Sequence, residues 1–134
     1  MPLEPRSDSF SKTRREHSME IFEDYVEAIA DLIAECGEAR VVELAKRLGV
    51  THVTVTRTVE RLQKAGYVDS LPYRAIFLTH SGKALAEFCK ERHQIVVSFL
   101  KALGISDQTA ELDAEGLEHH VSEETLAAFK RYLN

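Results

Sequence analysis

The chain has 134 residues, 44% hydrophobic and 29% charged, with a formal net charge of −5. That length suits one compact unit or two small subdomains sharing a core, and no apolar run approaches the ~20 residues needed to span a bilayer. The negative balance argues against a generic polyanion binder, and Cys36 and Cys89 form no C-x-x-C pair, which argues against a disulfide scaffold or a thiolate zinc site.

Residues 1–18 are polar and weakly patterned. They carry Arg6, Lys12, Arg14 and Arg15 without an apolar h-region, so they are read as a flexible arm with no secretory signal, and the cytoplasm is the expected compartment. From Met19 to Cys36, Phe22, Tyr25, Ile29, Leu32 and Ile33 recur with helical period, and Gly37 supplies a stop. Asp24 and Glu27 stand at i and i+3 on one face of that helix. A short helix is predicted over Arg40–Leu48, with Val42, Leu44, Ala45 and Leu48 inward. Gly49-Val50 turns the chain, and Thr51 is placed as N-cap of a third helix running to about Ala65. There Val55, Val59 and Leu62 form the core stripe, leaving His52, Thr54, Arg57 and Arg61 outward. Two extended runs, Tyr67–Leu71 and Ala75–Leu78, join through Pro72-Tyr73-Arg74 as a small hairpin. A long helix from about Ser81 to Leu103, capped near Thr79, precedes two short ones, Asp107 to about His120 and Glu123–Leu133, with Ser122 as the last N-cap.

Helix, glycine turn, helix and two-stranded wing describe a winged helix-turn-helix. Residues 40–74 hold seven basic against three acidic residues, a local excess that suits phosphate. In the third helix, Thr51, His52 and Thr54 can approach base edges, Val53 suits a thymine methyl, and Arg57 can reach guanine or phosphate. Arg61 shares the outward face, while Arg47 and Arg74 are expected to touch the DNA backbone. Each of these side chains taken singly is an ordinary solvated residue; turn, helix and wing together point to double-stranded DNA.

Residues 105–124 are the reverse, with seven acidic and no basic residues. Glu115 and Glu118 share a helical face, His119 and His120 follow, and His93 lies upstream in Glu91-Arg92-His93-Gln94. Any one of these groups, like Asp24 or Glu27, is explained by a solvated helix face. The set of carboxylates and imidazoles without a thiolate suits Mn²⁺ or a similar hard-to-borderline cation.

Three segments carry a resemblance: Glu23-Asp24-Tyr25-Val26-Glu27, Arg92-His93, and Asp113 through Ser122 (DAEGLEHHVS). From about Glu20 onward the chain resembles the DtxR family of metalloregulators, in its manganese-responsive branch. The resemblance implies metal ligands at Asp24, Glu27, His93, Glu115, Glu118 and His119, holding two Mn²⁺ ions per subunit bridged by Glu115 and other carboxylates. It implies a homodimer that binds operator DNA when loaded and represses manganese uptake genes, with no membrane or small organic ligand as partner. Glu118 stands where iron-responsive relatives use Cys or Met, and Gln94 where some relatives carry an acid. The chain is expected to lack the SH3-like third domain of longer relatives.

The expected fold is mainly α. A flexible N-terminal arm (1–18) precedes a winged helix-turn-helix DNA-binding domain (19–79) and an all-helical dimerisation and metal-binding domain (80–134). A chain this short has little interior, so its apolar helices are expected to bury surface in a second copy. Two other readings compete: a metal-independent winged-helix regulator whose acidic tail recruits a protein partner, and a two-metal hydrolase. The second lacks any nucleophile or base beside the cluster apart from the ligands themselves.

Overall fold

The structure is a computed structural model that describes residues 6–71 and 74–134, the side chains of residues 6–9 and Lys12 excepted. The Pro72-Tyr73 tip of the hairpin and the basic side chains of Arg6 and Lys12 lie outside the described residues. Six helices are described: α1 (Arg6–Cys36), α2 (Val41–Leu48), α3 (His52–Lys64), α4 (His80–Ala102), α5 (Asp107–Leu117) and α6 (Glu123–Leu133). Strands β1 (Val68–Asp69) and β2 (Phe77–Leu78) lie between α3 and α4, and a 3₁₀ turn, Glu118–His120, follows α5. The chain divides into two compact units, Ile21–Cys89 and the remaining residues, up to Glu20 and from Lys90 to Asn134.

In the Ile21–Cys89 unit, α1 buries Tyr25, Val26, Ile29 and Leu32 against Leu44 and Ala45 of α2, Val55, Val59 and Leu62 of α3, Val68 and Ile76. Full burial of each large aliphatic contributes about 1.5–3 kcal/mol. One inward assignment is corrected. Val42 is 43% exposed, and Val41 packs against the core instead. With Leu44, Ala45 and Leu48 facing inward, the position that shares their stripe is three residues before Leu44, not two.

Gly49 takes the left-handed conformation (φ 68°), and its N–H donates to the Ala45 carbonyl to close α2. Thr51 caps α3 as expected, its hydroxyl accepting from the Thr54 N–H at 3.1 Å. The wing is shorter than the two extended runs suggested: among the described residues its strands pair as Val68↔Leu78 and Asp69↔Phe77, antiparallel. A further bridge joins Ala39 to Ile76, whose N–H donates to the Ala39 carbonyl at 2.8 Å. Thr79 caps α4, accepting from the Gly82 N–H at 3.1 Å and donating to the Gly66 carbonyl at 2.6 Å. Gly82 is needed there, because a Cβ would fall 2.0 Å from the Tyr67 carbonyl oxygen.

The second unit has a smaller core, with Val96 and Val97 of α4 against Ala110 and Ala114 of α5, flanked by Leu100, Leu126 and Phe129. Phe99 stacks on Phe129 at 3.9 Å between ring centroids and meets Tyr132 edge-on at 5.3 Å. Ser106 and Ser122 cap α5 and α6. Leu103, Leu112, Leu117 and Tyr132 stay exposed. Helix α1 begins at Arg6, thirteen residues before the expected Met19. Extending a formed helix needs no new nucleus, so a polar segment without apolar period can still be helical. His120 also holds this stretch, facing Glu16 at 3.0 Å and Glu20 at 3.3 Å, one turn apart.

Candidate functional site

The outward face of α3 is arranged as its sequence suggests. His52, Val53, Thr54, Arg57 and Arg61 are exposed, Val53 at 59%. Other side chains already engage part of this set. The Thr51 hydroxyl donates to Thr54 Oγ1 at 3.0 Å besides capping the helix. The Arg61 guanidinium lies 5.4 Å from the centre of the Phe22 ring, a cation–π contact that steadies it. Arg47 forms a two-point pair with Glu35, one arm at 3.2 Å. Its hydrogen bond holds the Glu35 carboxyl below the usual carboxylate range. Arg40 is paired with Glu38 at 2.8 Å. Arg74 is exposed beyond the undescribed tip.

The second group of candidates centres on His93. Helix α5 sets Glu111, Glu115 and Glu118 at i, i+4 and i+7, one stripe that continues into the 3₁₀ turn. His93 Nδ1 lies 2.5 Å from Glu118 Oε2 and 3.9 Å from Glu115 Oε1, while its Nε2 lies 2.8 Å from Glu111 Oε2. The other Glu118 oxygen is 3.8 Å from His119 Nε2. His119 Nδ1 faces Arg92 Nη2 at 3.2 Å, and a carboxylate oxygen of Glu20 falls within 4.8 Å of a His119 ring nitrogen. Asp24 and Glu27, in the other unit, are half-buried one turn apart on α1.

Glu118 is 1% exposed. Burial holds its carboxyl above the usual carboxylate range, and the neighbouring His93 offsets only part of that. For His93 burial acts downward, but the hydrogen bonds to Glu111 and Glu118 outweigh it and hold the ring above its ordinary value. His93 Nδ1 and Glu118 Oε2 thus face one another at 2.5 Å with both groups biased toward their protonated forms. A carboxylate taken out of water needs a positive partner. Here the described cationic neighbours are imidazoles, each of which can give up its proton and ligate a metal instead. The donor set of carboxylate oxygens and imidazole nitrogens fits a divalent cation of manganese type.

The sequence profile described as "Iron dependent repressor, N-terminal DNA binding domain" matches residues 17–76, and "Iron dependent repressor, metal binding and dimerisation domain" matches residues 79–134. The chain belongs to the iron-dependent repressor family. The expected kinship with the DtxR metalloregulators is thereby borne out, and so is the mainly α fold with a DNA-binding part followed by a dimerisation part.

The chain is similar to "Transcriptional regulator MntR" of Escherichia coli O6:H1 (strain CFT073), 49% identical over 130 residues, 97% of this chain and 84% of that protein. It is 50% identical over 127 residues to the protein of the same name in Salmonella typhimurium, covering 95% of this chain and 81% of that one. A solved "Manganese-dependent transcriptional repressor complex with manganese" superposes with a TM-score of 0.75 at 30% identity, covering 84% of this chain and 52% of that chain. The "manganese regulator SloR" shares the fold at 24% identity, with a TM-score of 0.72 over 84% of this chain and 53% of that chain. The chain thus spans about half the length of these solved structures.

Members of this family regulate transcription, so the hydrolase reading is set aside and the protein is not an enzyme. The acidic segment falls within the metal-binding and dimerisation profile, which removes the reason for treating it as a partner-recruiting tail. Among the described residues no helix is long and apolar enough to cross a membrane.

Four groups escaped the reading from sequence. Glu111 and Arg92 meet His93 and His119, and Glu16 and Glu20 meet His120. The i, i+4 spacing of Glu111 and Glu115 was the one available signal for Glu111.

Proposed function

We propose that this chain is a manganese-responsive repressor that binds operator DNA as a homodimer when loaded with Mn²⁺, acts in the cytoplasm and controls manganese uptake genes. Its cation ligands are Asp24, Glu27, His93, Glu115, Glu118 and His119, which hold two ions per subunit. Residues 19–79 read DNA and 80–134 bind metal and dimerise. Thr51, His52, Val53, Thr54, Arg57 and Arg61 face the groove, with Arg47 and Arg74 toward phosphate. Support comes from the similarity to a manganese-dependent repressor solved with manganese and from one observation above all: a carboxylate buried to 1% exposure, Glu118, aimed at His93 Nδ1.

The bound cation supplies positive charge that lets neighbouring carboxylates approach. Asp24 and Glu27 sit on α1, whose apolar side shares a core with Val55, Val59 and Leu62 of the reading helix. Drawing those carboxylates into one ligand set with His93 and Glu118 restricts the separations that the two reading helices of a dimer sample, favouring half-sites about 34 Å apart. A coupling of only ~1–3 kcal/mol changes DNA affinity roughly 5–150-fold.

Mn²⁺ titration by calorimetry, paired with an operator mobility shift, tests this. Asp24→Ala and His93→Ala should keep the helical circular dichroism of the parent and lose the Mn²⁺-dependent shift. A full Mn²⁺ response in either variant overturns the ligand assignment.

A further inference from the structure

His93 has two ring nitrogens, and the structure gives them different partners. Nδ1 faces Glu118 at 2.5 Å, with Glu115 at 3.9 Å, whereas Nε2 faces Glu111 at 2.8 Å. Glu111 lies one turn before Glu115 on α5, so a single helix supplies carboxylates to both sides of the ring. A neutral imidazole carries one proton. A carboxylate fixed at one nitrogen keeps the N–H there and leaves the other nitrogen's lone pair available. Histidine ligands of metals characteristically donate their second N–H in this way, which sets tautomer and ring orientation and makes the ligand more basic.

We propose that Glu111 is a positioning residue for the cation site: it accepts the Nε2–H of His93 and so aims the Nδ1 lone pair at Glu115 and Glu118. This rests on His93 being a ligand. Glu111 does not itself coordinate the ion. Its side chain is 56% exposed, so replacing it uncovers no core. The contact also accounts for an acid at this place in α5 that no ligand pattern required.

Two variants separate the outcomes. Glu111→Ala removes the acceptor. Glu111→Gln keeps an amide oxygen that accepts the N–H but is a poor ligand for a cation. Glu111→Ala should bind Mn²⁺ about 10–100-fold more weakly, and Glu111→Gln should recover most of that loss. In the metal-free proteins, long-range ¹H–¹⁵N correlation spectra of the neutral ring should place the His93 proton on Nε2 in the parent and in Glu111→Gln, with a mixture of tautomers in Glu111→Ala. Unchanged Mn²⁺ affinity and tautomer in Glu111→Ala overturn the positioning role. A Glu111→Gln variant as weak as Glu111→Ala also overturns it, since that marks Glu111 as a direct ligand. If His93→Ala binds Mn²⁺ like the parent, the metal reading itself fails, which the Glu111 variants alone cannot produce.

Discussion

The pairing of His93 with Glu118 makes the fold sensitive to acidity in a direction that can be worked out. His93 holds its proton more tightly in the fold than in the unfolded chain. Its contribution to stability is therefore complete below its ordinary value of about 6.5 and fades as pH rises through the higher folded value. Glu118 is also raised in the fold, by burial. Its ionisation favours the unfolded chain, so the fold loses stability as pH climbs past the ordinary carboxylate range. With His93 and Glu118 as the proposed ligands, cation binding needs both deprotonated and releases protons. The metal-free protein should therefore melt at a lower temperature at about pH 8 than at about pH 6, while the gain in Tm from saturating Mn²⁺ grows over the same interval. Equal gains at both pH values would contradict proton release from these two groups on cation binding. Arg57, exposed on α3, is proposed to serve DNA binding instead. Arg57→Ala should weaken operator binding by about 1–3 kcal/mol in a fluorescence titration while leaving Mn²⁺ affinity within error.

At the scale of elements, the start of α4 is packed closely against the wing. Thr79 ties the helix to Gly66 and Tyr67 through its hydroxyl and its N–H, and Gly82 lies against the Tyr67 carbonyl. Gly82→Ala should cost about 1–3 kcal/mol in urea unfolding, the range for overpacking a filled site. A neutral effect would mean that α4 can slide off the wing without penalty.

Most elements were legible in the sequence because local chemistry and apolar period agreed. Gly49, Thr51 and Ser122 each do in the structure what their residue type suggests, and Val55, Val59 and Leu62 are buried as a stripe. The start of α1 was not legible, since its first residues lack an apolar period and Glu16 meets His120, 104 positions away, only in the fold. The same limit hid Glu111, an acid among acids until the fold sets it against a histidine 18 positions away. Val42 was misassigned because two adjacent valines are indistinguishable until the helix phase is known.

Over the whole molecule, a negative chain concentrates its positive charge in residues 40–74. Such a patch attracts DNA phosphates, while the acidic remainder discourages indiscriminate adhesion. The pairing of Arg47 with Glu35 has a consequence for how the protein behaves in salt. An arginine that must leave a carboxylate to meet a phosphate exchanges one anionic partner for another, so it displaces fewer condensed counterions than a bare cation does. Affinity for DNA should fall less steeply with salt than the number of basic residues suggests. Glu35→Ala should steepen the plot of log K against log salt by up to about 0.9 and tighten binding to unrelated sequences at low ionic strength. An unchanged slope would mean that Arg47 stays away from the duplex. A steeper slope would make the acid beside Arg47 a brake on non-specific capture.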